Sequence, residues 1–109
     1  MILFKDGVIM KDLRKEVLHI LEVAEIIFDL HDRDAIVTSA NDSQHMKGSR
    51  HYTGLALDFR VKHLATKPEW SEVVSDFKKI LGDEYDVIGE SFDNDNAHCH
   101  VEYEGVRRK

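Results

Sequence analysis

The chain has one cysteine in 109 residues, so no disulfide can close within it and the fold does not depend on an oxidising compartment. No apolar run approaches the ~20 residues that a membrane-spanning helix needs. The opening Met1-Ile2-Leu3-Phe4 breaks into Lys5-Asp6-Gly7 before the apolar core of a signal peptide can develop. These absences predict a protein that is cytoplasmic as synthesised and has no membrane partner. Positive charge is also scarce: 15 Lys and Arg stand against 21 Asp and Glu, a net charge of −6. Nucleic acid is therefore not an expected partner, because phosphate binding draws on a basic patch. The only basic cluster, Arg107-Arg108-Lys109, reads as a solvated tail. Repeats, linkers and internal composition breaks are absent too. A single domain over 1–109 is expected, long enough for one core and not for two, and acting as a monomer.

What is present is a clear alternation of helical and strand patterning. The apolar fraction of 42% is ordinary for a globular chain, and 33% charged is somewhat high. From Asp12 to Leu30, the residues Leu13, Val17, Ile20, Leu21, Ala24, Ile27 and Phe28 recur at helical spacing and form one apolar face. Ala35 to Ser39 reads as a short buried strand. It runs into the polar stretch Ala40 to Arg50, long for a loop and therefore a candidate functional one. The only proline lies in Thr66-Lys67-Pro68-Glu69, a capping box that starts a second helix. Trp70, Val73, Val74, Phe77, Ile80 and Leu81 supply the buried face of that helix, and Gly82 ends it. Tyr85 to Ile88 and His98 to Tyr103 are further strands. This order predicts an α+β fold: a small antiparallel sheet, two helices packed on one face, and the open face left for a site.

Two segments carry the chemistry. Ser49 to Asp58 reads Ser-Arg-His-Tyr-Thr-Gly-Leu-Ala-Leu-Asp, and His98-Cys99-His100 follows forty residues later. A carboxylate and at least two imidazoles suit a tetrahedral Zn²⁺. If His51, Asp58 and one histidine of the His-x-His converge, a fourth position stays open, as in catalytic zinc sites. Strand alternation puts His98, His100 and Glu102 on one face, with Cys99 and Val101 on the other. Likewise Leu55, Leu57, Phe59 and Val61 share a face opposite Ala56, Asp58 and Arg60. Gly54 precedes that strand, where a tight turn or a close backbone approach needs the missing side chain. Cys99 faces away from its histidine neighbours and reads as a small core hydrophobe. His19, His31 and His63 fit no ligand pattern and read as structural.

Ser49-x-His51-x-x-Gly54-x-Ala56-x-Asp58 followed by His98-x-His100 resembles the zinc D-alanyl-D-alanine carboxypeptidase and L-alanyl-D-glutamate peptidase family. That family includes wall-trimming enzymes, vancomycin-resistance D,D-dipeptidases and phage endolysins, and the hedgehog signalling domain is similar to it in fold and zinc site. The resemblance runs from the first helix to Tyr103. It implies His51, Asp58 and His100 as zinc ligands and a glutamate as general base. The family places that glutamate three to six residues before the last zinc histidine, whereas Glu90 precedes His100 by ten. The intervening residues 91–97 look like an inserted loop rich in turn-formers. Glu90 is the expected base if a hairpin bulges out there, with Asp93 or Asp95 as the alternative.

The resemblance further implies that zinc lowers the pKa of its water towards about 7 and polarises the scissile carbonyl, while Glu90 moves the proton to the leaving amine. His98, one pleat from His100, is placed to hydrogen-bond the oxyanion or orient the water, worth on the order of 3 kcal/mol as an oxyanion donor. Ser49, Arg50 and His45 border the expected substrate groove, and Tyr52, Tyr103 and Glu102 could support the ligands from behind. The implied substrate is a peptidoglycan stem peptide, cut at a D-Ala-D-Ala or an L-Ala-D-Glu bond. Without a signal or a wall-binding module, the enzyme is expected to reach the wall on lysis, as a phage endolysin does. Two other classes remain open: a hedgehog-like zinc domain that hydrolyses nothing, and a metal-free phage structural module.

Overall fold

The two segments with helical spacing form α1 (Lys15–Leu30) and α2 (Lys67–Leu81) in a computed structural model that describes residues 1–8, 15–40 and 56–105. Val17, Ile20, Ala24, Ile27 and Phe28 of α1 are buried, together with Val23. In α2 the buried residues are Trp70, Val73 and Phe77, whereas Ile80 is half exposed. Ile80 therefore does not belong to the buried face expected for this helix. The capping box forms as read: the Glu69 carboxylate accepts the Thr66 backbone N–H at 3.1 Å, and Gly82 closes the helix at φ 80°.

Five strands appear among the described residues: β1 (Ile2–Phe4), β2 (Ala35–Ser39), β3 (Ala56–Arg60), β4 (Tyr85–Glu90) and β5 (His98–Tyr103). They form one sheet in the order β1-β2-β3-β5-β4. The β2–β3, β3–β5 and β4–β5 pairs are antiparallel, as expected. The sheet is nonetheless mixed, because β1 pairs with β2 in parallel. The sequence reading passed over β1, which occupies the segment considered only as an aborted signal peptide. Its parallel pairing follows from connectivity: α1 carries the chain back between β1 and β2, and such a crossover returns the strand in the same direction. β4 and β5 form a hairpin, and β5 inserts between β3 and β4.

Both helices pack on one face of this sheet. Leu57 and Phe59 of β3 and Cys99 and Val101 of β5 are fully buried with them in one core cluster. Phe59 links the layers, its ring 6.2 Å from Phe28 of α1 and 5.4 Å from Phe77 of α2. The alternate residues of β3, β5 and β4 point away from the helices, and the polar residues of the two motifs lie among them.

Candidate functional site

Register sets out the open face in rows. Arg60, His98 and Glu90 face one another across β3, β5 and β4; Asp58, His100 and Ile88 form the next row; Ala56, Glu102 and Asp86 the third. Residues directly opposite on antiparallel strands share a face and touch. The interrupted register between Val37 and Ser39 of β2 falls opposite Asp58. Bulges of this kind re-aim neighbouring side chains, and Thr38 of the bulge donates its hydroxyl to the Asp58 carbonyl at 3.4 Å.

His100 sits between two carboxylates. Its Nδ1–H donates to Asp58 Oδ1 at 2.7 Å and its Nε2–H to Glu102 Oε1 at 3.0 Å. Donation from both nitrogens requires the imidazolium. Burial alone pulls its pKa down, but the hydrogen bonds and charges of Asp58 and Glu102 outweigh that and raise it to about 9.

His98 is held differently. Its Nδ1–H donates to the Asn96 carbonyl at 2.7 Å, and its Nε2 lies 2.9 Å from Glu90 Oε1. With Nδ1 protonated, Nε2 donates to Glu90 only as the imidazolium; in the neutral ring its lone pair is available to a Lewis acid. Asp58, Glu90 and His98 each offer a ligand atom, and these atoms lie within 4.8 Å of one another, the one such metal-capable group among the described residues.

Loop 91–97 makes this arrangement possible. Ser91 turns the chain at φ 57° directly after Glu90. Asn94 Oδ1 accepts the Asn96 N–H at 2.8 Å, holding the residue whose carbonyl meets His98. Phe92 folds back edge-on against Trp70, ring centroids 5.5 Å apart. It crosses Gly89 so closely that a Cβ there would meet its ring at 2.7 Å. The ten-residue separation of Glu90 and His100 is thus taken up by the hairpin, and Glu90 pairs directly with His98.

A cleft of about 460 Å³ opens beside the group, lined by Thr38, Asp58, Ser91, Asp95, Asn96, Ala97 and His98, with Lys5, Arg60 and Lys62 on its wall. Of the expected site residues, Asp58, Glu90, His98 and His100 come together on this face. His45, Ser49, Arg50, His51 and Tyr52 lie outside the described residues. Asp95 lines the cleft, whereas Asp93 does not. Tyr103 is on the helix-facing side, its ring 5.2 Å from Tyr85, and so stands away from the ligands. The remaining histidines have local partners. His19 bonds Glu22, His31 bonds Glu69, and His63 stacks on Phe28 and donates to the Asp34 carbonyl, with burial lowering its pKa. Burial raises the Cys99 thiol far above its usual range, as suits a core residue.

Sequence reasoning missed Lys5, Lys62 and the Asn96 carbonyl. Arg60 could have been found, since it shares the alternation of Asp58. Comparison of the chain with protein-family models, with characterised proteins and with solved structures finds no match, so the functional reading rests on the motif and the geometry.

Proposed function

We propose that this chain is a zinc peptidase acting on peptidoglycan stem peptides, with Asp58 and His98 holding the metal together with His51 of the motif. The observation that carries the reading is the setting of His98. Its Nδ1–H is committed to a backbone carbonyl while Nε2 is turned towards two carboxylates, the orientation that metal-ligating histidines adopt. Donor chemistry fits as well, since imidazole and carboxylate are zinc ligands. In this reading His98 stands in place of His100 as the ligand, because its ring nitrogen gathers with Asp58 and Glu90 within 4.8 Å, whereas the two nitrogens of His100 are held by Asp58 and Glu102. His100 becomes a positioning residue: a fixed cation between Asp58 and Glu102 that holds the Asp58 carboxylate in place.

Zinc bound there would acidify water and polarise a carbonyl. Glu90, half exposed beside His98, is placed to take the proton of the attacking water and pass it to the leaving amine. The register pairing of Glu90 with His98, despite their separation in sequence, supports this reading over a non-catalytic domain. The wall-peptide class comes from the motif resemblance. The test is to incubate zinc-loaded protein with muropeptides and weigh the products. Release of D-Ala marks carboxypeptidase action, and a new D-Glu amino terminus marks endopeptidase action. Glu90→Gln should keep the metal and lower turnover by about 10²–10⁴-fold. Bound zinc with neither product overturns the peptidase reading in favour of a binding domain.

A further inference from the structure

The loop between β4 and β5 turns on one residue, Asn94. Its main-chain N–H donates to the Ser91 carbonyl at 3.1 Å, and its own carbonyl accepts the Ala97 N–H at 3.3 Å. Two successive turns, 91–94 and 94–97, thus share Asn94 as the last residue of one and the first of the other. Its side chain adds a further tie, because Oδ1 accepts the Asn96 N–H at 2.8 Å. Asparagine suits this position, since its short amide reaches the N–H two residues on.

These ties converge on one peptide unit. The Asn96 carbonyl and the Ala97 N–H belong to the same planar trans group, so they point in opposite directions. Asn94 holds the Ala97 N–H on one side, and the Asn96 carbonyl meets His98 Nδ1 at 2.7 Å on the other. A carbonyl oxygen only accepts, so this contact puts the proton on Nδ1 and leaves Nε2 facing Glu90 at 2.9 Å. The loop has separate attachments to the core: Ala97 is buried, and Phe92 packs on the core cluster and on Trp70. Asn94 is exposed. Its bonds aim the peptide, while Phe92 and Ala97 anchor the loop.

We infer that Asn94 is a positioning residue for the metal, fixing through the 96–97 peptide which nitrogen of His98 is presented to the ion. This rests on the reading of His98 as a ligand and goes beyond it, since Asn94 does not line the cleft and acts only through His98. Removing the group that holds the second ring nitrogen of a ligating histidine weakens metal binding by about 10–100-fold.

The test measures the Zn²⁺ affinity of the full chain by competition with a chromogenic chelator. Asn94→Ala should weaken zinc by about 10–100-fold. Asn94→Ser keeps a nearby acceptor and should recover part of the loss. Asn94→Gln, whose amide sits one methylene too far out, should behave like alanine. Asp93→Ala removes the exposed bond from Asn94 Nδ2 at 3.3 Å and should leave the affinity unchanged. Ring-nitrogen NMR of the zinc-loaded protein gives a readout that general loss of stability would not move. The parent should carry the His98 proton on Nδ1 and the metal on Nε2, and Asn94→Ala should add a population with the two exchanged. Unchanged zinc affinity in Asn94→Ala, equal losses in the serine and glutamine variants, or a parent that binds no zinc overturns the assignment. The two readings fail separately. Muropeptide hydrolysis with a zinc affinity untouched by Asn94→Ala removes the positioning role and keeps the peptidase. An affinity that follows Asn94 in a protein that releases no product keeps the role and removes the peptidase.

Discussion

His98 and His100 are two residues apart on one strand face, yet their rings have different partners. His98 meets the Asn96 carbonyl and the Glu90 carboxylate; His100 meets the carboxylates of Asp58 and Glu102. On the proposed reading, alanine at His98 should abolish zinc binding, while His100→Gln should leave most of the metal in place. The second change leaves Asp58 and Glu102 without their shared cation, a loss of about 1–3 kcal/mol. Elemental analysis and urea unfolding of both variants check this, and stoichiometric zinc in His98→Ala would sink the ligand assignment. Residue type and alternation made the shared face of Asp58, His98 and His100 legible in the sequence. The different partners of the two histidines were not, because they include the Asn96 carbonyl and Glu102. Only folded geometry brings those to the rings.

Among the elements, α2 was the most legible, since a capping box and a terminal glycine act locally. Its first turn has a further task that no local pattern announces. Glu69 caps Thr66 with one oxygen and accepts from His31, at the end of α1, with the other, at 2.8 Å. The bond from His31 is the main cause that holds the Glu69 carboxyl below its usual 4.5, with the Thr66 contacts adding to it. A lowered carboxyl pKa means that the folded state holds its proton less tightly than the unfolded one. Its contribution is present above about 4.5 and lost as pH falls through the folded value. Thermal unfolding followed from pH 7 to pH 3 should thus decline less steeply in Glu69→Gln than in the parent, and parallel curves would refute the linkage. The hairpin of β4 and β5 was half legible: its turn-formers were visible, but not the closure of Phe92 over Gly89 onto Trp70. Strand β1 was missed because three residues carry too little pattern, and its partner is reached only through a helix.

At the scale of the whole molecule, the α+β class and the side of the sheet bearing the helices followed from apolar faces that needed one core. The mixed pairing did not, since it depends on β1. Phe28, Phe59 and Phe77 tie α1, β3 and α2 together. Phe77→Ala should cost about 3–5 kcal/mol through the cavity it leaves, yet spare zinc content wherever the protein stays folded, because Phe77 lies on the far side of the sheet from Asp58. Chemical denaturation with parallel metal analysis measures both, and zinc loss in folded Phe77→Ala would show that the site depends on the helices directly. The sheet order has a temporal consequence as well. β5, the last described strand to be synthesised, is the one that separates β3 from β4, and every row of the site runs through it. A growing chain that has emerged only as far as β4 has Asp58 and Glu90 but no strand to align them. The candidate site therefore cannot assemble piecemeal on the ribosome; it arrives with the final hairpin, and chains interrupted before His98 lack it whatever else they have folded.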